Sequence, residues 1–482
     1  MFRNKYFLLF GICSGLGGCI STADMNREIL DSRSHGYNQW EMKRNIEERD
    51  IPCIDGALSL EDALKLSLAN NKELLAALQR KGISQGTILA SRNTLLPTIS
   101  FLGSYTRYDD DAYNKGVYGA LNEYSTSITV KQPIYRGGAL STERRLARLL
   151  AFYNDELIRQ QVETTFYNVT LNYYKSLLAQ QLLKVTQDAV VSAEAYLDEV
   201  EKKRKNGAST EYSVLRARVD VALYQAQMIQ KQNALHMSMT QLLKEMGVDQ
   251  SSHVELSGRL VYKEEKPAFK QAVRIAYENR ADLGQAYTNV KMQEESVRLI
   301  SSRYLPQINA FASGGWSNPD HYKKTIDEWD SYASAGVCFE YLLFDGFKRE
   351  GQMKEERAKL SMRQYELLNT QEGVALQVNQ ALLNLNNAEE FVESQQMNLN
   401  LAKEGLRLAQ IGYSNGVNTE IDVIDARAAL TNAMGLHYQA IYDHSLARLV
   451  LRKACGTLIQ ENSPFSVKTF SNETNNTGEV VE

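Results

Sequence analysis

The second half of the chain repeats the landmarks of the first half at a constant spacing. Leu96-Pro97 recurs as Leu305-Pro306, an offset of 209 residues (305 − 96). Further landmarks recur at the same offset: Ile134-Tyr135-Arg136-Gly137 as Leu343-Phe344-Asp345-Gly346, Asn206-Gly207 as Asn415-Gly416, and Gly247 as Gly456. A fixed offset along the chain indicates a tandem duplication, which constrains both halves to the same fold. We assign residues 58–257 to repeat one and residues 258–460 to repeat two.

Repeat one contains long stretches without glycine or proline, and repeat two contains no proline from residue 320 to residue 463. Residues 139–206 contain neither, and residues 208–246 contain neither. Because glycine and proline are the usual helix breakers, such stretches predict unbroken helices. Apolar and aromatic residues recur every three or four positions along them, as in coiled coils. The predicted long helices cover about residues 138–205, 209–246, 346–413 and 419–455.

A period-two pattern precedes the first long helix of each repeat. One face of this pattern carries Tyr124, Thr126, Ile128 and Val130, and the other carries the polar residues Ser125, Ser127, Thr129 and Lys131. Such alternation indicates a strand with two different faces. The predicted strands cover about residues 98–108, 124–135, 307–316 and 332–344. Alternation over about ten residues is typical of a membrane β-barrel. Two hairpins packed on a soluble core are the alternative.

Four strands are too few to close a membrane barrel, because small barrels of this kind begin at about eight strands. An open sheet edge is also excluded from lipid, where its backbone groups would lack hydrogen-bond partners. Three copies of the chain would supply an even set of strands, four from each copy. The predicted fold is therefore an α-helical barrel of long coiled-coil helices plus a transmembrane β-barrel, with four strands per chain and closure by trimerisation.

The N-terminus has the pattern of an export signal. Arg3 and Lys5 precede an apolar stretch over residues 6–18. This stretch is too short to span a bilayer, so it is typical of a cleaved signal peptide. We predict that the signal peptide covers residues 1–18.

The residues that follow the signal indicate lipidation. Leu16-Gly17-Gly18-Cys19 resembles the lipobox of bacterial lipoproteins, which implies a covalent lipid on Cys19. Acyl chains on this cysteine would anchor the protein to a membrane, and Ile20 in the next position implies the outer membrane. An incidental cysteine after a plain signal peptide is the alternative. Residues 19–57 would form a lipidated leader, and the polar residues 461–482 are predicted to be a disordered tail.

The composition argues against two classes of function. A formal net charge of −4 and the lack of a Lys/Arg tract give no electrostatic footprint for nucleic acid. The sequence has none of the common nucleotide-binding or hydrolase motifs, and its six histidines are scattered. We therefore expect no enzymatic activity, no metal, no cofactor other than the lipid on Cys19, and no nucleic acid partner.

Two junction sequences, together with the duplication, identify a family resemblance. Gln132-Pro133-Ile134-Tyr135-Arg136-Gly137-Gly138 and the stretch GYSNGVNTEIDVIDA at residues 412–426 resemble TolC-like outer membrane efflux proteins. The lipobox points to the lipoprotein branch typified by OprM. The resemblance covers about residues 58–460. It implies a homotrimer in the cell outer membrane with its helical part in the periplasm.

The resemblance also implies a function and its partners. The trimer would be the exit duct of a tripartite efflux or type I secretion system. Substrates would pass through it passively, delivered by a periplasmic adaptor (membrane fusion) protein and an inner-membrane RND or ABC pump. Outer membrane lipid would surround the barrel.

The same resemblance implies a periplasmic gate at the second turn. Asp422 and Asp425 of three subunits would form an acidic ring, and Tyr413 would contribute to closure. Asn418 stands where enteric TolC has an arginine, so the salt-bridge form of the gate is in question at this position. The alternative is a solvated helix start capped by Thr419, with the carboxylates near the positive end of the helix dipole.

Repeat one supports a separate role for the two aspartates. Glu420 has a counterpart in repeat one and is therefore assigned to the helix start. Ser213 and Arg216, however, occupy the positions of Asp422 and Asp425. Because both helices need the same capping, the aspartates are expected to serve the gate.

Both turns are predicted to dock the adaptor, with ordinary helix-to-helix turns as the alternative. The predicted docking residues are Asn206, Gly207, Thr210, Asn415, Gly416 and Thr419.

A lipid-anchored periplasmic coiled-coil tether or scaffold without a pore is the competing function. It would keep the long helices and the lipobox, but it would not need amphipathic strands duplicated at the same offset.

Overall fold

The computed structural model describes residue 54 and residues 56–110, 121–321 and 328–459. The predicted signal peptide, the lipidation site Cys19 and the predicted tail lie outside these residues, as does most of the predicted leader.

Repeat one runs from a short strand through three short helices to two long strands and a helical hairpin. Its elements are β1 (Gly56–Leu58), α1 (Leu60–Asn70), α2 (Lys72–Leu78), α3 (Arg80–Ser91), β2 (Thr98–Arg107), β3 (Asn122–Arg136), α4 (Ala139–Lys205) and α5 (Glu211–Met246). Gly138 precedes α4 with a φ of 89°. This left-handed conformation, which glycine adopts without strain, turns the chain from strand into helix.

Repeat two follows the same order with two short helices. The strand β4 (Val254–Leu256) ends repeat one, and the elements of repeat two are α6 (Phe269–Asn279), α7 (Ala281–Ser302), β5 (Gln307–Asn318), β6 (Asp330–Glu340), α8 (Lys348–Ser414) and α9 (Glu420–Ala454). The last strand was predicted to reach residue 344, which is wrong because it ends at Glu340. Glu340 pairs with Gln307, the first residue of β5, so residues 341–344 lie beyond the end of the neighbouring strand.

The four longer strands form one antiparallel sheet in the order β2-β3-β5-β6. The central pairing of β3 with β5 joins the two repeats, with Ile128 opposite Gly314. Within the described residues, β2 and β6 each pair with one strand, so one row of backbone groups on each is left without a strand partner. The short strands β1 and β4 form a separate parallel pair.

The long helices pack as two hairpins, α4 with α5 and α8 with α9, and α7 packs against both α4 and α8. Tyr173 of α4 lies in the core, where its hydroxyl donates to the Leu58 carbonyl at 3.1 Å. The same hydroxyl accepts from the Gly258 N–H at 3.1 Å, so it ties α4 to segments of both repeats. Within the described part of the chain, no helix combines the length and apolar character needed to cross a membrane.

Gly247 provides a test of this packing. It ends α5 with a φ of 70°, and a Cβ there would collide with the Asn70 carbonyl at the end of α1. We expect Gly247→Ala to lower the free energy of unfolding by about 2 kcal/mol, because both the backbone conformation and the close approach require glycine. Gly405→Ala, in open space within α8, should instead be neutral or stabilising by up to about 1 kcal/mol. Unfolding of the purified protein in detergent measures both, and equal losses would contradict this account.

Candidate functional site

The two helical hairpins end in turns of the same conformation. Gly207 and Gly416 have φ values of 73° and 75°. In each turn the residue after the glycine donates its N–H to a carbonyl in the last turn of the preceding helix, at 2.8 Å in both cases. The side chains of Asn206 and Asn415 are exposed. The predicted docking residues therefore lie at two accessible turns.

The helices that leave these turns begin with a threonine cap. Thr210 accepts a hydrogen bond from the Ser213 N–H at 3.2 Å. Thr419 accepts from the Asp422 N–H at 3.4 Å, and the Asp422 carboxylate in return accepts from the Thr419 N–H at 2.7 Å. This reciprocal capping box is found at α9, where repeat two has an aspartate in the place of Ser213.

Asp422 thus forms its hydrogen bonds at the start of its own helix. Its side chain is exposed, and its hydrogen bonds with the Thr419 hydroxyl and N–H lower its pKa. An acidic ring of the kind that the resemblance implies would instead raise this pKa, because neighbouring carboxylates repel one another. In the single chain the shift has the opposite direction, because the carboxylate accepts two short hydrogen bonds from Thr419.

Glu420 bridges the two hairpins, which the sequence did not predict. The Tyr196 hydroxyl of α4 donates to Glu420 Oε1, and the Ser213 hydroxyl of α5 donates to Glu420 Oε2 at 3.0 Å. The Arg427 guanidinium lies over the Tyr196 ring, 4.9 Å from its centroid. Burial and the bond to Glu420 raise the pKa of Tyr196. The assignment of Glu420 to the helix start alone was therefore incomplete.

Tyr413 makes a second contact between the hairpins. Lys203 of α4 donates from Nζ to the Tyr413 hydroxyl at 3.3 Å and lies 4.7 Å from the centre of its ring. Lys203 also pairs with Glu199 at 2.7 Å. Hydrogen bonding to Glu199 is the main cause of the raised pKa of Lys203, and the Tyr413 hydroxyl adds to it. The predicted gate tyrosine is thus held by a charged partner in repeat one.

Asn418 forms its contacts within the turn in which it lies. Its N–H donates to the Gly412 carbonyl at 3.1 Å, and a Cβ at Gly412 would lie 2.6 Å from the Asn418 amide carbon. The half-buried side-chain amide of Asn418 therefore occupies the space that a side chain at position 412 would need.

Asp425 is exposed on α9, three residues beyond Asp422. Burial raises the pKa of Asp220 on α5, and the negative charge of Asp425 adds to this effect, while Arg216 and Arg427 oppose it. The structure thus places Asp425 within an electrostatic cluster that spans both hairpins.

The matched portion of the chain identifies its family. Residues 63–248 and residues 272–457 each match the family described as outer membrane efflux protein, and together they make up more than half of the chain. The chain belongs to this family. The two matched ranges begin 209 residues apart (272 − 63) and end 209 residues apart (457 − 248), the same offset as the sequence landmarks.

Relatives within the family are distant but extend over most of the chain. The alkaline protease secretion protein AprF of Pseudomonas aeruginosa is 23% identical over 413 residues, covering 83% of this chain and 85% of AprF. The outer membrane protein TolC of Escherichia coli K12 is 24% identical over 426 residues, covering 85% of this chain and 84% of TolC. Membership of this family of outer membrane channel proteins confirms the predicted resemblance and assigns the chain to the outer membrane.

Solved structures show the same architecture. The CmeC outer membrane channel of Campylobacter jejuni superposes with a TM-score of 0.72 at 16% identity, covering 86% of this chain and 89% of CmeC. VceC of Vibrio cholerae superposes with a TM-score of 0.68 at 16% identity, covering 82% of this chain and 96% of VceC. These likenesses confirm a fold of long helices with a β domain.

Removing the Glu420 bridge should loosen the tips. Glu420→Ala deletes two hydrogen bonds to a charged group, each contributing about 1.5–3 kcal/mol. We expect amide hydrogens of both turns to exchange at least about tenfold faster, measured by hydrogen exchange with mass spectrometry. Glu211→Ala is the matched control, because Glu211 occupies the same position in repeat one and pairs with Arg204 of its own hairpin. Equal acceleration in both variants would show that Glu420 does not join the hairpins.

Proposed function

We propose that the protein forms a trimeric outer membrane channel that serves as the exit duct of a tripartite efflux or type I secretion system. Substrates would pass through it passively, delivered by a periplasmic adaptor and an inner-membrane RND or ABC pump. The proposed duct catalyses no reaction and needs no cofactor.

The open edges of the sheet carry this proposal. Backbone N–H and C=O groups along β2 and β6 need hydrogen-bond partners, and none is available from lipid. In a ring of three chains, β6 of one subunit would pair with β2 of the next. Ile99 and Phe101 on β2, and Val337 and Phe339 on β6, are exposed in the single chain. A lipid-facing surface would accommodate such side chains.

Exposed apolar stripes on the long helices support the same assembly. One stripe follows α5 and consists of Tyr212, Leu215, Val219, Leu223 and Met237. Another follows α8 and consists of Tyr365, Leu376, Leu383, Met397, Leu401 and Leu408. Stripes of this length are unfavourable in water and favour contact with neighbouring helices. Adjacent subunits would cover them and close a helical tunnel.

The tip contacts suggest how the periplasmic end would be held closed. The Glu420 and Lys203 contacts tie the second hairpin to the first within each subunit. Asp425 and Asp422 of three subunits would then approach the axis and form an acidic constriction. Such a ring would favour cations over anions by simple charge attraction. Opening would require the hairpins to separate at Glu420 and Tyr413.

The exposed turns are the proposed docking sites for the adaptor, through Asn206, Gly207, Asn415 and Gly416 with the helix starts at Thr210 and Thr419. A lipid on Cys19 is proposed as an additional membrane anchor.

Trimerisation is tested by placing a charge in the α5 stripe. Val219→Asp should abolish trimers, because three buried carboxylates would be desolvated without partners. Gln232→Asp, at an exposed position on the same helix, is the control and should leave the trimer intact. Mass photometry of the purified protein in detergent gives the oligomeric state. A wild-type monomer without conductance in planar bilayers would favour the coiled-coil tether instead.

The acidic gate is tested by neutralising its carboxylates. We expect Asp425→Asn, alone and together with Asp422→Asn, to alter single-channel conductance and to weaken block by cations, because fixed negative charge that attracts cations is removed from the proposed acidic constriction. Asp198→Asn on α4, where Asp198 pairs with Lys202 at 2.5 Å, should leave conductance unchanged. Unaltered conductance and cation block in the gate variants would refute the assignment.

A further inference from the structure

A segment without regular secondary structure connects the two repeats and lies across the long helices. We call residues 257–268 the strap. At its start, Ser257 donates from its N–H to the Leu58 carbonyl at 3.0 Å, and Gly258 donates to the Tyr173 hydroxyl. Farther along, Leu260 and Tyr262 pack against a small apolar cluster of α8 and α9. The strap therefore fastens repeat one to the second hairpin.

The far end of the strap is held by polar contacts to both helices of that hairpin. The Glu265 N–H donates to Glu389 Oε1 of α8 at 3.0 Å. The Glu265 carboxylate accepts from Arg448 and, at 3.3 Å, from Arg452 of α9. Glu389 is itself buried, so the N–H of Glu265 is an important partner for its charge.

A buried histidine lies beneath this end of the strap. His444 of α9 has no solvent exposure, and neither of its ring nitrogens has a hydrogen-bond partner among the described residues. The Tyr262 ring lies 4.8 Å from it, centroid to centroid. Glu389 Oε1, the atom that holds the Glu265 N–H, lies 3.8 Å from His444 Nε2. A buried polar ring without partners is costly and calls for an explanation.

Repeat one shows that the fold does not need this histidine. At the offset of 209 residues, His444 corresponds to Leu235, Arg448 to Met239 and Glu389 to Gln180. The first hairpin therefore has an aliphatic residue where the second has His444. The ionisable cluster is a property of repeat two and lies where the strap crosses the hairpin.

We propose that His444 is a pH-sensitive fastener of the strap. In the neutral state it packs beneath Tyr262 and leaves Glu389 Oε1 to the Glu265 N–H. When it takes a proton from solvent, the imidazolium gains a donor at Nε2 that competes for Glu389 Oε1. The buried positive charge also faces Arg448. Both effects weaken the attachment of the strap at Glu265 and Tyr262.

The charged surroundings of His444 determine the direction of this response. Burial lowers the pKa of His444, Arg448 on α9 lowers it further, and Glu389 on α8 and Glu265 on the strap oppose them. The exposed or unfolded imidazole has a pKa of about 6.5. As pH falls below that value, the open state therefore binds more protons than the closed state, and the closed strap loses stability until the lower folded pKa is reached. Well above a pH of about 6.5, His444 is neutral in both states and the strap is fully attached.

Hydrogen exchange of the strap amides in the full-length protein tests this proposal. Rates are compared at pH 6.5 and pH 5.5 after correction for the intrinsic exchange rate. We expect opening to increase by up to about fivefold in the wild type, because the open-state imidazole, with a pKa of about 6.5, is already half protonated at the upper pH. In His444→Leu, which takes the residue of repeat one, and in His444→Gln, the corrected rates should be equal at both pH values.

His437→Leu is the matched control. His437 lies two turns earlier on α9, and burial lowers its pKa as well. This variant should keep the wild-type response of the strap. Equal corrected rates in the wild type at the two pH values would overturn the proposal. So would a full pH response in both His444 variants, which would place the responsible group elsewhere.

Discussion

Backbone hydrogen bonding between β3 and β5 is the constraint on which the rest of the structure depends. It makes one sheet from two repeats and leaves open edges at β2 and β6. Because both repeats contribute to this one sheet, α4 and α8 begin at the same end of it. Because α4 and α8 both contain 67 residues, each extends about 100 Å from the sheet. Equal length brings the two turns to the same height, where Lys203 and Tyr413 meet.

The duplication preserved the backbone and let the side chains diverge. Both turns place glycine in the left-handed region, and both following helices begin with a threonine cap. On this shared frame, repeat two has Glu420 reaching Tyr196 and Ser213 of repeat one. The same divergence produced the cluster around His444, where repeat one has Leu235, Met239 and Gln180, none of which is ionisable.

The sequence predicted the elements better than the contacts between them. The long helices of repeat one followed from the absence of glycine and proline, which is a local property, and those of repeat two from the absence of proline and the repeat offset. The end of β6 did not, because it depends on where β5 begins. Tyr196 lies in a cluster of buried apolar residues, and only the packing of α4 against α9 brings its hydroxyl to Glu420. Likewise, a strap distant in sequence makes His444 a buried neighbour of Tyr262 and Glu389.

The covalent union of the repeats also sets the symmetry available to the assembly. A chain with one repeat would need six copies to supply the strands of the proposed trimer, and its tips would be identical at every position. Joining two repeats lowers the order of the rotation axis from six to three. In the proposed trimer, alternate positions around the periplasmic entrance could then evolve independently. The tips of repeat two could carry the acidic charge, and the tips of repeat one could hold them in place.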